Sequence, residues 1–518
     1  MTGMKFSAVG TLTGLAALNR RAQMEPTYIV KTLGCKANIY DSQLIEAELQ
    51  KRGWSPFQPS SNNFAYPQQP PSVCIVNSCT VTDEADRQSR KMAARLGREH
   101  PGARIVVTGC AAEVDPERLA RSKGIHYVIG NRDKPELVSV ILEKLASEKV
   151  AWIEGRENAE AEVLGVAEGY TEILSRHPMY REWPVSETFA LPPVSQKTRA
   201  FLKIQEGCNT FCTYCIIPYG RGPSRSLRPR EVVSRVSELV RQGIREVVIT
   251  GTNIGDYGVD WGTDSAEHSG LVELLEMIFA GTALERLRVS SLDPVEITPA
   301  LMKLMEREPR LCPHFHVSLQ SPHSRILRLM KRKYGFEQVK ECLEAIAALR
   351  VSQGPVFVGM DVITGFPGET NAEFEWTCEQ LSSLPWQRLH VFPYSEREGT
   401  PATRLPGAVR QDERIRRARK LGELSLSRLK RHYEGTLAQY QSDGAPIEGV
   451  LLEGTSGFTP NYLRLLVQAG EGVTRNAVVT VTPECIVLDQ ASGEVSLRGR
   501  VLRESPARVV TGVDEVRP

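Results

Sequence analysis

The sequence lacks a surplus of charge of either sign. Its 64 Lys and Arg face 62 Asp and Glu, for a net +2 over 518 residues. That balance excludes a polybasic, histone-like protein and an acidic tail protein, and confines any nucleic-acid contact to a local basic patch. There is also no apolar run of the ~18–20 residues that a membrane helix needs, so no membrane partner is expected. Tandem repeats of fixed period and strong low-complexity tracts are missing too. With hydrophobic residues at 41% and charged residues at 24%, widespread disorder is excluded. Cysteine, by contrast, is present eleven times, an odd number scattered over a long chain. A small secreted disulfide scaffold is therefore excluded. In a reducing, cytoplasmic setting such cysteines are metal ligands, catalytic groups or small core residues.

At about 150 residues per domain, the length predicts roughly three domains. Residues 1–23 read as a frayed extension, and the competing reading is a translation start at Met24. Residues 25–150 alternate near-continuous apolar strands with helical stretches: TYIVKTLG, SVCIVNS, RIVVTG and IHYVIG are the strands. This pattern predicts an α/β unit with a doubly wound parallel sheet. Residues 151–195, rich in Ala and Glu and then in Pro and Ser, read as a linker or insertion. A second α/β unit follows over 196–433, where six strand-like runs predict a partial (β/α) barrel that ends in a basic helix over 410–433. Short alternating strands over 434–505 predict a small antiparallel β-barrel.

Chemistry concentrates in the cysteines. In EGCNTFCTYCIIPYGRGPSR, Cys208, Cys212 and Cys215 have C-x₃-C-x₂-C spacing directly after the first strand of the second unit. Three thiolates in so tight a loop suit a metal cluster with one open iron. The competing reading is a three-cysteine zinc site with a distant fourth ligand. Cys35, Cys79 and Cys110 each follow the carboxyl end of a predicted parallel strand. Such ends lie on one rim of an open sheet, where residues far apart in sequence converge. A second three-cysteine cluster is the functional reading; for any one of them alone, plain packing is the default. Cys74, Cys312, Cys342, Cys378 and Cys485 read as packing residues.

These residues resemble the methylthiotransferases, a family of radical S-adenosylmethionine (SAM) enzymes. TLGCKANIYDSQ, VNSCTVTDEADRQSRK and VTGCAAEVDPE resemble the family's amino-terminal module, and FLKIQEGCNTFCTYCIIPYGRGPSRS resembles its barrel. Lys36, Ala37 and Asn38 after Cys35 are similar to the branch that acts on threonylcarbamoyladenosine in tRNA, with Ala37 a departure from the usual Val. The resemblance implies two 4Fe-4S clusters, on Cys208, Cys212 and Cys215 and on Cys35, Cys79 and Cys110, with SAM bound at the first. It implies a 5′-deoxyadenosyl radical that takes hydrogen from carbon 2 of the adenine next to the anticodon, and insertion of a methylthio group there. Partners implied are a tRNA anticodon stem-loop, an electron donor such as flavodoxin or ferredoxin, and a sulfur source. The same chemistry on isopentenyladenosine or on a ribosomal-protein side chain is the near alternative. A non-enzymatic iron–sulfur or zinc RNA-binding protein is the alternative of another class.

Further candidates sit at predicted strand ends. Gly251, Asn253, Ser318, Gln320, Asp361, Gly365 and Glu369 are expected SAM neighbours, each with turn or core packing as the competing role. Arg221 and Arg225 suit a carboxylate of cofactor or substrate, with a solvated surface pair as the competing reading. Ten Lys and Arg lie between Arg404 and His432 against Asp412, Glu413 and Glu423, and read as a solvated helix or an RNA clamp. Ile415, Ala418, Leu421 and Leu424 form its expected buried stripe. In the last module, which resembles the family's TRAM domain, Phe458, Tyr462 and Arg464 are expected to meet RNA or to be core.

Overall fold

The computed structural model describes residues 26–58, 70–153, 162–164, 198–261, 270–468, 474–489 and 493–504. The extension, the start at Met24 and most of 151–195 lie outside them. The first apolar runs become one parallel sheet of β1 (Thr27–Thr32), β2 (Ser55–Pro56), β3 (Val73–Ser78), β4 (Arg104–Gly109), β5 (Tyr127–Ile129) and β6 (Glu162–Leu164), in the order β2-β1-β3-β4-β5-β6. Side chains alternate across it. Val73, Ile75 and Val106 meet Ile45, Leu49 and Ile141 from helices Lys36–Lys51 and Leu137–Ile153. On the other face Cys74, Val76, Ile105 and Val107 meet Ala93, Leu96 and Leu119 from helices Asp83–Glu99 and Pro116–Ala120. Helices on both faces make the sheet doubly wound. β6 corrects the linker reading, because residues 162–164 extend the sheet beside β5. Three residues are too few for periodicity to mark them as a strand.

The second unit begins with β7 (Arg199–Lys203) and a short antiparallel pair, β8 (Gln205–Glu206) and β9 (Arg225–Ser226). β10 (Glu246–Thr250) and β11 (Arg286–Val289) pair in parallel with β7, and β12 (Ser291–Leu292), β13 (His314–Gln320), β14 (Phe357–Thr364) and β15 (Arg388–Pro393) form a second parallel set. Only Ser290 separates β11 from β12, so the two sets form an open partial barrel whose edges are β7 and β15. Phe315, Val317, Met360 and Val362 point outward into the core under the helices. The alternating residues His316, Ser318, Gln320 and Asp361 point the other way and are only half-buried. Helix Lys36–Lys51 of the first unit covers the β7 edge, where Tyr40 joins the barrel's core and Lys203 Nζ lies 2.6 Å from Asp41 Oδ1.

β16 (Ile447–Leu452), β17 (Ser456–Phe458), β18 (Arg464–Val467), β19 (Val478–Asp489) and β20 (Glu494–Glu504) close into a five-stranded barrel around a core that includes Val450, Leu465, Val481 and Leu497. It docks under the amino ends of the larger barrel's strands. Glu246, fully buried, receives Arg286 at 2.8 Å, Arg288 at 3.2 Å and Arg199 at 3.8 Å. These arginines reach across the seam, Arg199 to Glu453 at 2.8 Å, Arg286 to the Gly449 carbonyl at 3.0 Å and Arg288 to the Pro460 carbonyl at 3.1 Å. Phe458 lies under Arg199, 4.7 Å away, and Tyr462 under Arg288, 4.9 Å away, with the His314 ring at 4.4 Å. Those two aromatics therefore hold the domains together rather than await a base, and Arg464 pairs with Glu494. Burial works against the Glu246 charge, but the three guanidiniums hold its pKa down to about 2. Its stabilisation is thus complete above the ordinary carboxylate value and fades as pH falls from there towards 2. Glu246→Gln is expected to cost about 3–5 kcal/mol, by leaving buried guanidiniums uncompensated. Denaturant unfolding at pH 7 checks the loss, and acid titration should find the variant's stability flatter than wild type below pH 4.5.

The basic helix runs over Gln411–Asp443, and its buried stripe is Arg414, Arg417, Leu421, Ser425, Leu429 and Tyr433. Of the expected stripe, Leu421 is buried and Leu424 packs against the core, but Ile415 is exposed. The reason is that two arginines are drawn inward by acids. Arg417 meets Glu369 at 2.6 Å, Arg414 meets Glu396 at 2.7 Å, and Arg428 lies over Trp386. Much of the segment's positive charge therefore fastens the helix to the barrel, and the RNA-clamp reading does not extend to these residues.

Candidate active site

Cys208, Cys212 and Cys215 occupy the loop after β8. It is tight enough to put Phe211 at φ +48°, and the Cys215 N–H donates to the Cys212 carbonyl at 3.0 Å. Thr213 fixes the loop from below, its hydroxyl donating to the Leu329 carbonyl at 2.8 Å. All three cysteines line one cavity of about 430 Å³. Cys35, from the first unit, lines the same cavity. Cys79 and Cys110 are buried just behind it. The Cys35 and Cys79 loops touch so closely that a Cβ on Gly34 (φ +92°) would lie 2.6 Å from Cys79 Sγ. Cys110 opens helix Cys110–Val114, and the Asn131 amide lies 3.4 Å from its sulfur. Cys35 likewise caps helix Lys36–Lys51. The amino terminus of that long helix thus directs a positive dipole end at this set, which favours bound negative charge.

Burial pushes the thiols of Cys79 and Cys215 up to about 12, so loading any metal must expel their protons. Among the described residues no three of His, Cys, Asp and Glu converge closely enough for a single ion. A lone zinc needs its sulfurs within about 2.3 Å. A cubane cluster spreads three thiolates over three iron corners. Cys208, Cys212 and Cys215, lining one cavity, suit the corners of such a cluster.

Asn253, Ser318, Gln320 and Asp361 line the cavity, the last with Oδ2 2.9 Å from His316 Nε2. Gly251, Gly365, Glu369, Arg221 and Arg225 do not line it. A Cβ on Gly251 would meet the Gln205 carbonyl at 2.7 Å, and one on Gly365 would meet Arg414 Cγ at 2.4 Å. Glu369 instead anchors Arg417 of the long helix, as above. Arg221 and Arg225 are buried, and Arg225 donates to the Arg221 and Pro223 carbonyls. Their expected carboxylate partners are supplied from within the protein for Arg221, which pairs with Glu206 and Asp41.

Sequence reasoning missed Arg332, Gln205 and Phe392. Arg332 Nη1 lies 3.0 Å from Cys212 Sγ, while its Nη2 pairs with Asp293. Burial disfavours its charge, but Tyr214, Tyr334, Asp293 and Cys212 more than restore it. Gln205 Oε1 accepts from the Thr252 and Asn253 N–H groups and so ties that loop to the strand that leads into Cys208. Phe392 lines the cavity and is 43% exposed. Only the strand-end position of Phe392 was a usable signal; Arg332 lies outside any strand end.

Comparison with known proteins decides the family. A profile of the radical SAM superfamily matches residues 202–381, and an uncharacterized family, UPF0004, matches residues 27–130. Threonylcarbamoyladenosine tRNA methylthiotransferase MtaB of Aquifex aeolicus is 34% identical over 433 residues, covering 84% of this chain and 94% of its own. The protein of that name from Bacillus subtilis is 31% identical over 448 residues, covering 86% and 91%. That from Rickettsia prowazekii is 33% identical over 410 residues, covering 79% and 85%. The chain belongs to the radical SAM methylthiotransferases. This methylthiotransferase accordingly uses 4Fe-4S clusters and SAM. Among its described residues no helix is long and apolar enough to cross a membrane.

Proposed function

We propose that the enzyme transfers a methylthio group to carbon 2 of N6-threonylcarbamoyladenosine at position 37 of tRNA, next to the anticodon. The single observation that carries the reading is that Cys35 of one three-cysteine set and all of Cys208, Cys212 and Cys215 face one cavity. Hydrogen abstraction and sulfur delivery at one carbon require both cofactors within reach of it. The relatives' names supply the nucleoside. Cys208, Cys212 and Cys215 would hold the SAM-binding cluster, and Cys35, Cys79 and Cys110 the second. When bound, these groups and SAM supply hydrogen abstraction from an aromatic carbon that has no acidic proton, which side-chain acids and bases cannot perform.

The protein's own work is positioning. Arg332 sets Cys212 by its hydrogen bond and is itself held by Asp293 and Tyr334. Asn253, Ser318, Gln320 and Asp361 supply polar atoms to orient SAM. Phe392 and Val81, both exposed, give the cavity an apolar face for a flat base. Stacking a base on an aromatic ring is worth about 1–3 kcal/mol. Phe392→Ala is therefore expected to weaken binding of an anticodon stem-loop by about tenfold to a hundredfold, and Phe392→Trp to preserve it. Filter binding or fluorescence anisotropy reads this. An electron donor such as flavodoxin or ferredoxin and a sulfur source complete the proposed reaction.

The deciding experiment is nucleoside analysis of tRNA from a deletion strain. Loss of 2-methylthio-threonylcarbamoyladenosine, with its precursor accumulating, supports the assignment. An unchanged level overturns the choice of nucleoside.

A further inference from the structure

Arg221 does something that neither its sequence position nor the reaction announces. Its side chain is 2% exposed, and its guanidinium meets acids and amides from both halves of the site. One end pairs with Glu206, two residues before Cys208. The other bonds to Asn38 Oδ1 and lies 3.3 Å from Asp41 Oδ2. Asn38 in turn donates its amide to the Leu33 carbonyl at 2.7 Å and the Ser78 carbonyl at 2.9 Å. Those carbonyls belong to the chains leading into Cys35 and Cys79. The third cysteine of that set is joined by backbone. Asn131 Nδ2 donates to the Gly220 carbonyl at 2.6 Å and lies 3.4 Å from Cys110 Sγ, and a Cβ on Gly220 would sit 3.5 Å from Cys110 Cβ. The loops of Cys35, Cys79, Cys110 and Cys208 therefore all meet at residues 220–221.

The charges here are uneven. Asp41 and Glu206 are countered by Lys203, at 2.6 Å from each, and by Lys134, at 3.0 Å from Asp41. Arg221 reaches the 35/79/110 loops through Asn38 Oδ1, with the neighbouring Gly220 carbonyl bonded to Asn131, and the Cys110 and Cys35 thiols favour its charge. A buried cation beside an iron–sulfur cluster favours the more negative, reduced form, because little solvent screens it.

We propose that Arg221 is a positioning residue that fixes the spacing between the two cysteine sets and raises the reduction potential of the group held by Cys35, Cys79 and Cys110. The inference rests on the reading that both sets carry clusters. It is tested on the full chain, reconstituted anaerobically with iron and sulfide, by redox titration followed by electron paramagnetic resonance. The signal that changes on adding SAM marks the 208/212/215 set, and the other marks the 35/79/110 set.

In Arg221→Met the second signal is expected to titrate lower, with its redox equilibrium shifted at least about tenfold, about 59 mV for one electron. Arg221→Lys keeps the charge and should stay near wild type. Glu206→Gln removes a neighbouring anion and leaves Arg221 in place, so it should move the same signal upward. Opposite signs in the Met and Gln variants are the mark of a charge effect, since mere loosening would not reverse direction. If Arg221→Met fails to hold iron, the Glu206→Gln shift decides alone. Unchanged potentials in Glu206→Gln, or shifts of one sign in both variants, overturn the proposal. Wild-type protein holding only about four irons would instead overturn the two-cluster reading on which it rests.

Discussion

Cys212→Ala is expected to reduce SAM cleavage to background. Cys212 is the middle ligand of its proposed set and the one that Arg332 addresses at 3.0 Å. It is buried, so alanine leaves a small void, not an exposed defect, and the fold is expected to survive. Without the third thiolate the loop has only Cys208 and Cys215, too few to hold a cluster that keeps one iron open. Iron should fall from about eight to about four per chain, and 5′-deoxyadenosine should vanish even with a strong chemical reductant. Formation of 5′-deoxyadenosine at the wild-type rate would refute the assignment of Cys212.

Cys79→Ala is expected to give the complementary defect. Iron again falls to about four per chain, but SAM is still cleaved to 5′-deoxyadenosine, since Cys208, Cys212 and Cys215 are untouched. Product tRNA is lost completely, for want of a site that delivers sulfur. Cys79 suits this test because it is buried within the first unit, where burial pushes its thiol up to about 12. Mass spectrometry of nucleosides, run beside the 5′-deoxyadenosine assay, separates the two cysteine variants. Methylthiolated product from Cys79→Ala would break the division of labour between the sets.

The two variants also separate this enzyme from a zinc RNA-binding protein. Such a protein would be colourless and would bind RNA with or without SAM.

The sequence by itself determined the strands and the placement of six cysteines at or just after strand ends. Apolar runs such as Val73–Ser78 and Arg104–Gly109 carry their strand character locally, because burial on both faces demands continuous hydrophobicity. The six cysteines were legible for the same reason: spacing and strand-end position are one-dimensional facts. Which cation meets which anion is not. Arg221, Arg414 and Arg417 look alike in sequence, a surface pair or a basic helix face, yet each is buried against a carboxylate contributed by a distant segment. Phe458 and Tyr462 look like RNA contacts until the barrel above them supplies Arg199 and Arg288. A long polar side chain takes its role from whatever the fold brings within about 4 Å, and burial magnifies that choice by removing the water that would otherwise screen it. Tertiary structure alone therefore decided that Arg199, Arg221, Arg286 and Arg288 fasten one domain to the next, although the net charge is only +2.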